Sequence, residues 1–184
     1  MKKLVCLLST VLFVFALQTT SFAFSIKVNE VQAESKTTFN DAADTPSSTS
    51  STIYLIAAKA KAESKNNAKY YLYILLVPNK DKVDKVYSFK KNPVKLSFSK
   101  NGLNKTLEFK IDKGNINIIP DWNYMSASQL LTKEVRDELK GISDLKIMIP
   151  LADGKYKTLD CPKNLTDGWD YVLTVDLDEV ENAK

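Results

Sequence analysis

Histidine is absent from this chain, arginine occurs once at Arg136, cysteine twice at Cys6 and Cys161, and glycine five times. Each shortage removes a chemistry. Without histidine there is no Ser-His-Asp or Cys-His nucleophile pair, no histidine zinc site and no imidazole pH switch. The five glycines compose neither GxGxxG nor GxxxxGKS/T, so the loops that cradle nucleotide phosphates are missing. One arginine leaves a single side chain able to grip phosphate or base edges bidentately. The formal charge is +4, too small to point to nucleic acid. No cofactor, metal or catalytic residue is assigned from this composition.

What is present begins with an export signature. Lys2 and Lys3 form a positive start, residues 4–17 are apolar apart from Ser9 and Thr10, and Ser21-Phe22-Ala23 places small residues where a signal peptidase reads. Cleavage after Ala23 is the preferred reading, with Val31-Gln32-Ala33 as a later alternative. The apolar stretch falls short of the roughly 20 residues that a membrane-spanning helix needs. Cys6 lies inside that stretch, where a lipidated cysteine does not, and removal of the signal takes Cys6, Lys2 and Lys3 away. Cys161 is then the only thiol, no intramolecular disulfide is possible, and burial is its expected state. The protein is expected to be secreted or extracytoplasmic, with no membrane span after cleavage.

Residues 24–52 are rich in Ser, Thr, Asn, Asp and Ala, and read as a flexible lead that cannot bury enough apolar area to offset ordering. A single β-rich domain is expected over 53–178, followed by an acidic tail over 179–184. Strands are expected at 53–61 and 70–77, although 57–68 suits a short helix equally well on propensity. Residues 70–77 are apolar on both alternating faces and read as a central strand covered on both sides, closed by Pro78. A weaker strand is expected at 83–89. Val94, Leu96 and Phe98, then an Asn101-Gly102 turn, then Leu107, Phe109 and Ile111 spell a hairpin. Ile116, Ile118 and Ile119 form another strand, ended by Pro120. Ser126 to Gln129 reads as a capping box opening one amphipathic helix that Gly141 ends. Residues 145–151 and 155–161 flank an Asp153-Gly154 hairpin turn, and Tyr171, Leu173 and Val175 form a last strand. The fold class is therefore mainly β, all-β or α+β: an antiparallel sandwich or open barrel of about nine strands with a single amphipathic helix.

Two stretches share a pattern, Asp121-Trp122-Asn123-Tyr124 and Asp167-Gly168-Trp169-Asp170-Tyr171. On extended chain each Trp and Tyr would face the same side. That makes Trp122, Tyr124, Trp169 and Tyr171, edged by Asp121 and Asp170, the candidate ligand-binding residues: ring faces pack on sugar C–H groups while carboxylates take hydroxyls. Ten lysines between Lys80 and Lys113 stand against four acids, and suggest a basic strip for an anionic cell-wall polymer. Asp176, Asp178, Glu179 and Glu181 lack the spacing of a calcium loop. The function expected is a non-catalytic binding or surface-interaction module for a glycan or an anionic cell-wall polymer. The alternative is a glycosidase-like hydrolase using Asp121 with Asp167 or Asp170. Export makes a direct prediction: intact-mass measurement on material recovered from the medium will show a chain that starts at Phe24, and full-length chain retained in membranes would refute it.

Overall fold

The computed structural model describes residues 21–29, 31–40, 49–60, 63, 65–78, 81–90 and 92–177. The expected signal up to residue 20, the Ser/Thr run at 44–48 and the acidic tail at 179–184 lie outside them. Four strands open the fold as a meander: β1 (Ser21–Asn29), β2 (Gln32–Asn40), β3 (Thr49–Ala58) and β4 (Lys69–Pro78). The chain then crosses through a single helical turn, α1 (Val83–Val86), into the hairpin β5 (Val94–Lys100) and β6 (Leu103–Phe109), and returns as β7 (Ile116–Ile119) and β8 (Tyr124–Leu130). After α2 (Lys133–Leu139) come the hairpin β9 (Ser143–Pro150) and β10 (Tyr156–Asp160), and finally α3 (Lys163–Thr174).

These ten strands make two antiparallel sheets, ordered β1-β2-β3-β4-β8-β7 and β10-β9-β5-β6. The expected class is the observed one. Leu72, Ile74 and Leu76 of the first sheet share one core with Leu96, Phe98, Ile147 and Ile149 of the second. The turn of the β5–β6 hairpin falls where the sequence puts it: Asn101 and Gly102 take φ of 53° and 77°, the left-handed pair that a tight two-residue hairpin requires.

Four local expectations are corrected. Residues 24–52 are not a loose lead: they include most of β1, all of β2 and the start of β3. In β2 the small residues Ala33, Ser35 and Thr37 are buried and alternate with half-buried Gln32, Glu34, Lys36 and Thr38. Composition hides this, because period-2 alternation of small polar residues resembles a linker. The buried small residues leave room for α3, which packs across β1, β2 and β3.

The second correction concerns α3 itself, where a strand carrying Tyr171, Leu173 and Val175 was expected. Leu165, Trp169, Val172 and Leu173 fall on one buried stripe at helical spacing, and Lys163 pairs with Asp167 one turn on at 2.7 Å. Third, Ser126 to Gln129 is strand and not a helix start, because Met125 and Ala127 are buried between half-buried Tyr124, Ser126 and Ser128. The true N-cap is Thr132, whose side chain accepts from the Val135 amide. Fourth, 83–89 opens as the α1 turn, which buries Val83 and Tyr87 four residues apart, and Tyr87 bridges to Leu151. Residues 57–68 divide: β3 ends at Ala58, and Lys65–Asn67 is one turn of 3-10 helix.

Trp169 is the largest fully buried side chain, and its indole Nε1–H meets no acceptor. Its contribution is therefore volume. Trp169→Ala should lower stability by about 3–5 kcal/mol in urea unfolding, whereas Trp169→Phe, which keeps a ring, loses no hydrogen bond and leaves a smaller cavity, should cost about 1–3 kcal/mol. Equal losses would show that the indole N–H matters after all.

Candidate functional site

Strand β4 was expected to be covered on both faces, and one face is not. Leu72, Ile74 and Leu76 point into the core, whereas Tyr71, Tyr73, Leu75 and Val77 line the outer side of the first sheet, and Tyr73 and Val77 are exposed. Register builds the rest of that surface. Tyr73 lies opposite Tyr54 of β3 and Ser128 of β8, Tyr71 opposite Ile56 and Leu130, and Leu75 opposite Thr52 and Ser126.

The Tyr71 and Tyr73 ring centroids are 5.9 Å apart with planes tilted by 46°, and the Lys36 ammonium sits 5.4 Å from the centre of the Tyr54 ring. Between them runs an open groove of about 620 Å³. Gln32 donates to the Glu34 carboxylate at 3.2 Å on the β2 side, and Tyr124 and Ser126 close the β8 side. The surface is thus a set of rings and aliphatic chains interspersed with phenol, hydroxyl, amide and carboxylate groups.

The first of the two aromatic stretches adjoins this groove. Asp121 and Trp122 sit on a single 3-10 turn, Pro120–Trp122, and Asn123 follows in the left-handed region at φ 47°. The Asn123 side chain makes that corner rigid: its oxygen accepts from the Val83 amide at 2.9 Å, and its nitrogen donates to the Asp81 carbonyl at 2.8 Å. Held there, the Trp122 ring is 74% exposed and lies 6.2 Å from the ring of Tyr124. Asn123 therefore positions the corner; it is spent on backbone groups.

The second stretch does not form a platform. Trp169 is fully buried, and Tyr171 is exposed on the same helix, where residues two apart do not share a face. Asp170 accepts from the Gly141 amide at 3.0 Å, tying α3 to the turn after α2, and Asp167 is engaged by Lys163. Period-2 reasoning failed here because the backbone is helical. Trp122, Tyr124 and Asp121 come together; Trp169, Tyr171 and Asp170 are in another part of the fold. The residues that the sequence reading missed are Tyr54, Tyr71 and Tyr73. Their signal was the recurrence of tyrosine at 71 and 73 on one face of a strand.

Some lysines of the expected strip are engaged by neighbours. Lys95 pairs with Glu108 across the hairpin at 2.6 Å, and Lys105 with Glu138 at 2.7 Å. Lys100 donates to the Asp137 and Glu138 carbonyls at the end of α2. These contacts hold the Lys95 ammonium above its ordinary pKa and the Glu138 carboxyl below its own. Glu108 is already among the four acids of that segment and Lys100 meets neutral carbonyls, so of these contacts only the Glu138 carboxylate lowers the excess of lysine over acid. Among the described residues no group of His, Cys, Asp or Glu could hold a metal ion, and no helix is long and apolar enough to cross a membrane.

The class defined by this geometry is a two-sheet antiparallel β-domain with an aromatic groove on an open sheet face. Comparison with protein-family models, with curated proteins and with solved structures finds no match to the chain.

Cys161 follows β10, its amide bonded to the Leu145 carbonyl at 2.9 Å. Burial pushes its thiol up to about 12. The native protein should therefore react slowly with a thiol reagent at about pH 8 and at the free-thiol rate once denatured. Because the folded pKa is the higher one, the associated stability is intact below the ordinary thiol range and is lost as pH climbs towards 12. Rapid native labelling at neutral pH, or a reductant-sensitive dimer, would reverse the assignment.

Proposed function

We propose that this protein is a secreted or extracytoplasmic, non-catalytic binding module that holds a neutral glycan against the outer face of its first sheet. The observation that carries the reading is the row of half-buried Tyr54 and Tyr71 and exposed Tyr73 on a face whose opposite side is tightly packed. An aromatic ring left in water forgoes roughly 1.5–3 kcal/mol of burial, and a contiguous exposed patch of this kind marks a place of contact. Gln32, Glu34 and Ser126 line the groove together with the tyrosines. That mixture suits a ligand with apolar C–H faces and hydroxyl rims, and suits a hydrocarbon surface poorly.

Two observations bear on the other readings. Lys95 and Lys105 have carboxylate partners and Lys100 is held by carbonyls, which lessens the support for an anionic polymer as ligand without removing it. A glycosidase needs two carboxylates flanking one bond, roughly 5–10 Å apart. Among the described residues lining the groove Glu34 is the only one, and Asp167 and Asp170 are committed on α3.

Titrating cell-wall polysaccharides while following tryptophan fluorescence should give a saturable change, reported by exposed Trp122 over a constant signal from buried Trp169. Tyr73→Ala should weaken binding by about tenfold or more, the equivalent of roughly 1.4 kcal/mol, with its unfolding midpoint barely altered. Undiminished binding by Tyr73→Ala and Tyr71→Ala, or no saturable binding to any glycan, would overturn the proposal.

A further inference from the structure

A second cavity, of about 370 Å³, lies between α2, the C-terminal end of α3 and the start of β4, away from the tyrosine groove. Its notable side chain is Arg136, the only arginine in the sequence. The guanidinium carbon is 4.2 Å from the centre of the Tyr70 ring, a cation–π contact that holds the fork against that ring. Arg136 forms no ion pair among the described residues, and its Nε–H is buried without an acceptor. The Nε–H has lost water and gained only a ring face in return, while the residue as a whole is half-buried.

The groups around it are of both signs. Lys140 lines the cavity and is joined to Asp137 at 3.1 Å, a carboxylate that also holds Lys133 at 2.6 Å. The two lysine contacts lower the Asp137 carboxyl to about 2, so its charge is already spent on them. Asn66 and Thr174 add neutral polar edges, and Asp176 lies on the α3 side. A cation beside the last turn of a helix is favoured by the helix dipole, which accounts for a positive charge at this place. It does not account for an arginine, because the guanidinium donates to none of the terminal α3 carbonyls among the described residues, and a lysine would serve the dipole as well.

We propose that this cleft is a binding site for a small carboxylate, held by the Arg136 fork over Tyr70 and flanked by Lys140. A carboxylate matches the fork with two parallel hydrogen bonds. The negative end of α3 disfavours a doubly charged anion, so a monoanion is the better fit.

Being the sole arginine, Arg136 gives a single side-chain Nε–H resonance in a nitrogen-15 spectrum of the intact protein. Titration with acetate at constant ionic strength should move that resonance saturably, while chloride leaves it in place and phosphate near pH 8 acts more weakly. Arg136→Lys should weaken acetate binding, followed through the Tyr70 and Thr174 amides, by about tenfold, the worth of one lost charge-assisted hydrogen bond. Tyr70→Leu should weaken it with the charge retained. A resonance that stays still with acetate, or moves as much with chloride, would show that Arg136 serves only the helix end. Tighter binding of phosphate than of acetate would overturn the carboxylate assignment.

Discussion

A six-stranded sheet facing a four-stranded one leaves two strands' width without a partner, and the burial of Trp169 answers that mismatch. Strands lie about 4.8 Å apart and a helix with its side chains is about 10 Å across, so one helix covers what two strands leave open. Helix α3 lies over β1, β2 and β3, and it can come close because Ala33, Ser35, Thr37 and Ala57 are small. The fit is bought with unsatisfied polar atoms: the Ser35, Thr37 and Ser51 hydroxyls and the Trp169 indole N–H are all buried without a partner. Such atoms cost about 1–3 kcal/mol each, and only a large apolar gain from the indole and its neighbours can outweigh them.

The same constraint explains which parts of the fold were legible. Hairpins were, because Asn101-Gly102 and Asp153-Gly154 carry their turn chemistry in the residues themselves, and β4 declared itself by an unbroken apolar run. The lead was misread because β2 owes its strand state to what lies on it. Nothing in Gln-Ala-Glu-Ser-Lys-Thr-Thr announces a buried face until a tryptophan some 130 residues later in the sequence supplies the apolar surface. Helix α3 was missed for the complementary reason: Tyr171, Leu173 and Val175 satisfy a period of two, while Leu165, Trp169, Val172 and Leu173 satisfy 3.6 over a longer span. The longer span decides.

For the candidate site, sequence pointed to the Trp122 corner and overlooked the surface next to it. A run such as 70–77 is ambiguous in principle, since a strand apolar on both faces is either covered twice or exposes one side for a purpose. With the second sheet and α3 both on the inner side, the first sheet has an outer face that is open at Tyr73, Val77 and Leu130. The inner side of β4 is wholly aliphatic, Leu72, Ile74 and Leu76, whereas its outer side carries Tyr71 and Tyr73 beside Leu75 and Val77. That difference between two sides of one strand becomes visible only when register aligns Tyr54 with Tyr73 and Ser128.

The path of the chain between the sheets has a kinetic consequence. The first sheet is left after β4 and rejoined only by β8, which pairs Leu76 with Met125; the second is left after β6 and rejoined only by β9, which pairs Leu96 with Ile147. Each sheet therefore waits for a segment delivered after the other has been visited, and neither can be completed alone. Pairings so distant in sequence are slow to form, because loop closure must be met before any contact rewards it. Until β8 arrives, β4 has an open edge and apolar residues on both faces, which makes the half-assembled chain prone to pair with its neighbours. The strand at the centre of the first sheet in the finished protein is, during folding, its greatest hazard.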